Sequence, residues 1–548
     1  MSSPILKISE KDNLLVALQN LSRGQEVSIG DENIVLQTDV QAKHKFALRD
    51  FSEGEILYLY GVPVGKALED IPQGTAISTK NVVHAAGAVG GRGEFSWEQP
   101  EVLKFTGRTF KGFLRKDGRA GTSNNWLVIP LVFCQNRNVR VVREAFLKEL
   151  GYETSNKYEF MVSVLVDMYK SGKSAEEIQA YSREQAKTSL KEKLFPNVDG
   201  IRFLTHELGC GGTNDDADVL CRLLASYICH PNVAGATVLS LGCQKAQINL
   251  LKDKINELNP SLDKEVLFYE QQRYNSEEDL LSEAIKGTFT GLIEADKAER
   301  VDLPLSKLVI GVECGGSDGF SGISANPCIG KTADMLVALG GSVILSEFPE
   351  LVGVEQEVVD RCVNDDVAAR FVQLMTAYEK AAAAVGTSMD TNPSPGNIKD
   401  GLITDAMKSA GAAKKGGSSP VVDVQDYPGY VTESGLTLLN TPGNDVESTT
   451  GLAGAGANLI LFSTGLGTPT GNPITPTIKI SSNSVLARKM SDIIDYDSGK
   501  IISGDASLEQ AAAELLEKCI AIASGTEKCK AEILGQEDFI PWKRGVSL

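Results

Sequence analysis

The chain has no basic surplus: 54 Lys and Arg stand against 72 Asp and Glu, a net charge of −18. That excludes nucleic acid or an anionic membrane as the main partner, since both attract Lys and Arg. Long hydrophobic runs are also missing, and none reaches the ~20 residues that a membrane helix needs. The opening stretch MSSPILKISEKDN has neither the basic head nor the apolar core of a secretion signal. Ten cysteines occur without a CxxC pair. They read as reduced thiols of a cytoplasmic protein, most of them small buried hydrophobes. No GxxxxGK(S/T) loop, no GxGxxG after a first strand and no GxSxG elbow is present. Readings as an NTP, NAD or serine-hydrolase enzyme lose their support.

What is there is an α/β rhythm. Residues 1–92 read as a small β domain of short extended runs (ILKI, VSI, NIVLQTDV, EILYLYGVPVG), with LLVALQNL as its one helical stretch. Residues 93–106 form a glycine-rich linker. From 107 onward apolar runs end in Gly-, Cys- or Glu-bearing loops and alternate with helical patterns. The expected layout is one α/β domain over 107–255 and a second over 256–548, with mostly parallel sheets. In such sheets ligands gather at the carboxyl ends of the strands.

Several of these ends carry chemistry. GVECGGSDGFSGISANP, residues 311–327, packs Glu313, Cys314, Asp318, three serines and five glycines into one loop. Glycine at that density implies tight turning or close approach to a ligand. Cys210, Cys243 and Cys314 each end an expected strand. They are either small turn residues or thiols converging on a soft metal or iron–sulfur cluster. Of four histidines, His206 ends a strand four residues before Cys210. His44 lies between two lysines in the β domain, His84 opens the linker, and His230 reads as structural. SEFPE places Glu347 at a strand end and Glu350 toward solvent. NPSPGN (392–397) and GLGTPTGNPITPTIKISSN (465–483) add amides, hydroxyls and Lys479. So many polar groups suit a polyhydroxylated acid, whose water shell they would replace.

The motifs ECGGSDGFSGISANP, NPSPGN, PGND, FSTGLGTP and PTIKISSNS, in this order, resemble the altronate dehydratase and galactarate dehydratase family. ECGGSDG and PGND are closer to its altronate branch. The stretch from LKISEKDNLLVAL to YLYGVPVGKAL resembles the family's SAF-type β-clip domain, a module shared with sulfolactate lyases. The resemblance implies dehydration of a sugar acid to a 2-keto-3-deoxy acid, supported by divalent iron or manganese. For that reaction His206 is the expected base or leaving-group acid, because imidazole titrates near neutrality, and Lys479 is expected beside the carboxylate or as the alternative base. His44, Cys210 and Glu347 are the expected metal ligands, His44 being brought in when the β domain closes over the site. Lys45, Thr122, Asn124, Ser317, Asp318, Asn326, Asn397, Thr464 and Thr468 become substrate-binding residues. Three basic positions of the family are altered here, to Ser123, Ile398 and Leu466, so a different anion preference or a non-catalytic sugar-acid binder stays open. So does a hydro-lyase using an iron–sulfur cluster on Cys210, Cys243 and Cys314. A homo-oligomer is expected from the habit of such enzymes.

Overall fold

The computed structural model describes residues 3–87, 89–153, 157–182 and 191–547. The N-terminal part is built from short antiparallel pieces. One sheet joins Ile5–Leu6, Leu14–Ala17 and Lys45–Ala47, a hairpin pairs Glu26–Ile29 with Glu32–Val35, and a third sheet joins Ile56–Leu59, Val62–Ala67 and Val82–Val83. LLVA is thus a central strand and not the start of a helix. Each of its four residues is buried, and a short run buried on both faces carries no period that separates strand from helix.

Two parallel sheets follow, as the alternation of strands and helices implies. The first has four strands in the order Gly200–Phe203, Asn125–Pro130, Val233–Ser240, Glu265–Glu270. It therefore continues past residue 255, and helix Glu277–Ala295 packs on it. The second has seven strands: Val421–Asp426, Gly435–Asn440, Ser342–Leu345, Val309–Cys314, Leu459–Thr464, Thr477–Ser481 and Tyr496–Asp497. Gly435–Asn440 and Leu459–Thr464 are buried along their whole length, and Val309–Cys314 at all but its first residue, which is why they read as unbroken apolar runs. The chain enters at Val309–Cys314, forms the three strands on one side (Ser342–Leu345, then the edge Val421–Asp426, then Gly435–Asn440 between them), and crosses to the other side at Leu459–Thr464. Adjacent loops there diverge, and this switch point is where such a sheet opens a crevice.

The N-terminal domain is welded to this second sheet. Leu57, Leu59, Tyr60 and Val64 share one apolar core with Val312, Phe320, Ile323, Met407 and Ala410. Its Lys43–Lys45 segment lies on the carboxyl edge. There the Lys45 Nζ donates to the Gly401 carbonyl at 2.8 Å, and the His44 Nε2 lies 3.0 Å from the Lys399 carbonyl oxygen. No helix among the described residues is long and apolar enough to cross a membrane.

Candidate active site

The carboxyl ends of the seven-stranded sheet hold a cluster of buried charge. Strand Val309–Cys314 delivers Glu313 and Cys314; the loop after Ser342–Leu345 delivers Ser346, Glu347 and Glu350. Asp445 and Ser448 come from the first turns of helix Asp445–Gly454, and Lys408 and Lys415 from helix Asp405–Ala412 and the turn after it. Ser448 Oγ and Ser346 Oγ lie 2.5 and 3.0 Å from Glu313 Oε2 and donate to it. Lys415 Nζ donates to Glu347 Oε2 at 2.6 Å, to Glu350 Oε2 at 3.1 Å and to Cys314 Sγ at 2.9 Å. Lys408 Nζ sits 2.8 Å from Glu350 Oε1. Glu350, expected at the solvent, is instead 3% exposed and paired to two lysines; the short Phe348–Leu351 helix turns it inward.

Charge decides what this cluster lacks. Four acids (Glu313, Glu347, Glu350, Asp445) face two lysines (Lys408, Lys415), so with every acid ionised four minus two would leave two negative charges among the described residues. Glu313 Oε1 and Glu347 Oε1 are buried without a hydrogen-bond partner. Burial, and then the charge of Glu347, lifts the Glu313 carboxyl well above its ordinary range. Burial, with Glu347 and Glu350 adding to it, lifts Asp445 to about 7. Glu350 goes the other way. Burial alone would raise it, but Lys408 and Lys415 outweigh that and hold it below the ordinary range. Uncompensated buried charge of this kind takes up protons or a cation.

The ligand atoms of Glu313, Glu347 and Asp445 lie within 4.8 Å of one another, as do those of Cys314, Glu347 and Glu350. The second trio is already occupied by two ammonium groups. The first has buried Glu313 and Glu347 oxygens without a donor and an all-oxygen donor set suited to Mn2+, Fe2+ or Mg2+. The residues present therefore fit a divalent ion.

Backbone strain collects in the same place. Among the described residues three that are not glycine adopt left-handed backbone: Lys43, Tyr60 and Glu347. Lys43 and Glu347 belong to the edge just described, and the Tyr60 hydroxyl sits on Gly322 and Gly411. Such conformations cost about 1–3 kcal/mol each and persist where surroundings impose them. The glycines of the 311–327 loop answer to close approach. A Cβ at Gly315 would stand 2.0 Å from Asp445 Oδ2, and one at Gly319 would stand 2.4 Å from the Lys43 carbonyl oxygen.

Several sequence-derived residues gather here. Asp318 is fully buried; it receives Ser321, Ser482 and Asn483, and Lys43 Nζ lies 3.0 Å from it. Asn397 donates to the Ser317 carbonyl at 2.9 Å, and Asn326 binds Ser463 and the Gly411 carbonyl. Thr464 Oγ1 accepts from the backbone of Leu466, Gly467 and Thr468, and this turn lies against Gly316. Burial brings Lys45 down to about 7 and Lys479 down to about 8. Lys479 lies over the Phe462 ring and donates to the Thr470 carbonyl.

Others lie elsewhere. Thr122 and Asn124 sit before the amino end of strand Asn125–Pro130, where Thr122 binds the Asn458 carbonyl and Asn124 binds the carbonyls of Asn197 and Ala295. His206 belongs to the four-stranded sheet. Its Nε2 donates to the Pro130 carbonyl at 2.7 Å, its Nδ1 accepts from Leu208 N at 3.1 Å, and burial lowers it to about 4. Cys210 and Cys243 are exposed on that same sheet, while Cys314 is buried on the other, so these three thiols do not meet. His230 is structural, with Nε2 near the Ala457 carbonyl and Nδ1 accepting from Asn232 N. The site residues not named from the sequence are Lys408, Lys415, Asp445, Ser346 and Ser448; Glu313 was seen only as part of the 311–327 loop, and Glu350 was expected at the solvent. Asp445 was within reach as the acid of the PGND motif. The two lysines follow no local pattern.

Known proteins place this architecture. Residues 3–85 match the altronate/galactarate dehydratase SAF domain. Residues 112–296 match the D-galactarate dehydratase/altronate hydrolase second domain, and 305–547 match the D-galactarate/altronate dehydratase C-terminal domain. The chain is 32% identical to the altronate dehydratase of Bacillus subtilis over 95% of both chains, and 33% identical to that of Escherichia coli over 99% of both. It is 28% identical to the E. coli galactarate dehydratase (L-threo-forming), covering 95% of this chain and 93% of that one. A SAF-type β domain followed by two parallel α/β domains, matched end to end, makes this chain a member of the altronate/galactarate dehydratase family.

Proposed function

We propose that the protein is a hydro-lyase that dehydrates a sugar acid, altronate in first place, to a 2-keto-3-deoxy acid at the carboxyl edge of the seven-stranded sheet. The observation that carries this reading is the buried carboxylate trio Glu313, Glu347 and Asp445, whose ligand atoms lie within 4.8 Å of one another at the sheet's carboxyl edge. Altronate is favoured over galactarate by the higher identity to the two altronate dehydratases.

Glu313, Glu347 and Asp445 would hold the divalent ion. When bound, it draws electron density from the leaving hydroxyl and stabilises negative charge developing on the substrate carboxylate. Lys415 and Lys408 fix the far side of the carboxylate cluster, so that Glu347 presents one oxygen only. Lys45, brought to about 7 by burial, is partly neutral near neutral pH and takes the proton from the carbon beside the carboxylate. Lys479, at about 8, is largely protonated there and supplies a proton to the departing hydroxyl, which leaves as water. The enol left behind becomes the 2-keto acid without a redox step. Asn397, Asn326, Ser317 and the Thr464–Thr468 turn supply hydroxyl-binding groups at the rim. Asp318 anchors Lys43, two residues from Lys45.

The test is a screen of hexonates and hexarates for 2-keto acid formation with added Mn2+ or Fe2+. Altronate turnover that disappears in Lys45→Met supports the reading. No 2-keto acid from any substrate, or full activity in Lys45→Met, overturns it.

A further inference from the structure

Seven of the ten thiols are buried and three are exposed: Cys134, Cys210 and Cys243. Cysteine is among the most buried residue types, so an exposed set calls for a reason. These three are not scattered. Each follows the carboxyl end of one of three adjacent parallel strands, Asn125–Pro130, Gly200–Phe203 and Val233–Ser240. Their loops are bonded to one another. Phe133 N donates to the Leu208 carbonyl at 3.0 Å, Ala246 N to the Gly209 carbonyl at 3.2 Å, and Lys245 Nζ to the Gly212 carbonyl at 2.7 Å. His206, whose two ring nitrogens bind Pro130 and Leu208, joins the first two loops. Backbone contacts one residue from Cys134, one from Cys210 and three from Cys243 thus bring the three thiol-bearing loops together.

The spacing speaks against one small ion. A tetrahedral zinc about 2.3 Å from each sulfur would draw three thiolates within about 4 Å of one another. Among the described residues two trios bring ligand atoms within 4.8 Å, and neither includes these thiols. A polynuclear iron–sulfur unit spreads its thiolates farther apart. Cys210, with Phe133 and Lys245 from the other two thiol-bearing loops, lines a cavity of about 210 Å³ whose charged groups are Glu207, Asp216, Lys245 and Lys543.

We propose that Cys134, Cys210 and Cys243 hold a four-iron iron–sulfur cluster, bound as thiolates after release of their protons. Three protein thiolates would leave one iron without a protein sulfur, available to an oxygen donor such as water or a carboxylate. His206 is a positioning residue of this centre. The site is separate from the carboxylate cluster and stands whether or not that cluster dehydrates altronate.

The experiment is anaerobic purification of the full chain, with reconstitution by ferrous and ferric iron in equal amounts and sulfide, read as iron, acid-labile sulfide, visible absorption and the paramagnetic signal after reduction. The expected result is about four irons and four sulfides per chain with a broad visible band. Cys134→Ser, Cys210→Ser and Cys243→Ser should each lose the band and the labile sulfide at unchanged far-ultraviolet circular dichroism, while Cys314→Ser keeps both. Absence of labile sulfide after reconstitution, one zinc per chain instead, or a cluster that survives all three single replacements overturns the proposal. Mn2+ binding at the carboxylate site is measured independently and is not affected by these thiol variants.

Discussion

Lys415 Nζ lies 2.6 Å from Glu347 Oε2 with both side chains shut off from solvent, at 1% and 0% exposure. This pair occupies one oxygen of Glu347 and leaves the other, Oε1, facing Glu313 and Asp445 without a donor. The lysine therefore sets which oxygen can take a cation. Removing it strands buried carboxylates, whose loss of a partner typically costs about 3–5 kcal/mol. Lys415→Met should lower the denaturant midpoint by that amount in free energy and abolish turnover; an unchanged midpoint would show that the pair contributes nothing.

Gly315 should not tolerate a side chain. Its Cβ would meet Asp445 Oδ2 at 2.0 Å, on the carboxylate side of the cluster. Gly315→Ala displaces that carboxylate, and a displacement of about 1 Å at a reacting centre can cost on the order of 100-fold in rate. Steady-state kinetics on the purified variant, with far-ultraviolet circular dichroism as the folding control, gives the answer.

Lys43 ties the N-terminal domain to the site through Asp318 at 3.0 Å and Asp400 at 3.3 Å. Lys43→Met should raise hydrogen exchange across Lys43–Ala47. It should also lower kcat/KM about tenfold, the equivalent of ~1.4 kcal/mol of lost positioning. Unaltered exchange and kinetics would mean the arm is held by its apolar core alone.

His206 predicts a pH-dependent stability. Its folded pKa is about 4 against an ordinary 6.5. As pH falls, the unfolded chain takes up the proton first, so the contribution is complete above about 6.5 and is lost on descending through about 4. The difference amounts to about 3 kcal/mol. In His206→Gln this titration is gone. The stability gap between wild type and variant should narrow by about that amount between about pH 7 and about pH 4, read from urea midpoints.

Leu466 is 45% exposed beside Gly316, whereas Ile398 packs against the core and Ser123 lies before the amino end of a strand in the other sheet. Of the three altered basic positions, 466 is the one at the mouth of the site. Leu466→Arg should tighten dianionic hexarates about tenfold over monoanionic hexonates, since a charge-assisted hydrogen bond is worth about 1.5 kcal/mol or more. Equal KM values before and after would contradict this.

The fold class was legible because apolar runs ending in glycine-bearing loops recur along the chain, and strands such as Leu459–Thr464 are buried throughout. The 311–327 loop was legible as a site because its glycines, acids and thiol have no other common purpose. Glu347 was visible at a strand end. Lys408 and Lys415 were not, because a helix interior and an AKKG turn look like surface until tertiary packing turns them inward. His206, Thr122 and Asn124 show the limit of strand-end reasoning. A sequence marks that a strand ends, but not on which of two sheets, and polar residues before the amino end of a strand look the same as those after its carboxyl end. LLVA failed for a related reason: four consecutive buried residues have no face to reveal.

The central claim is that Glu313, Glu347 and Asp445 hold one divalent cation for the dehydration. It is tested most directly by titrating Mn2+ into the metal-free protein and following its paramagnetic resonance in wild type, Glu313→Gln and Glu347→Gln. The account predicts one Mn2+ per chain in wild type, and affinity reduced at least about tenfold in each variant together with loss of turnover. Binding of Mn2+ to both variants as tightly as to wild type would contradict it.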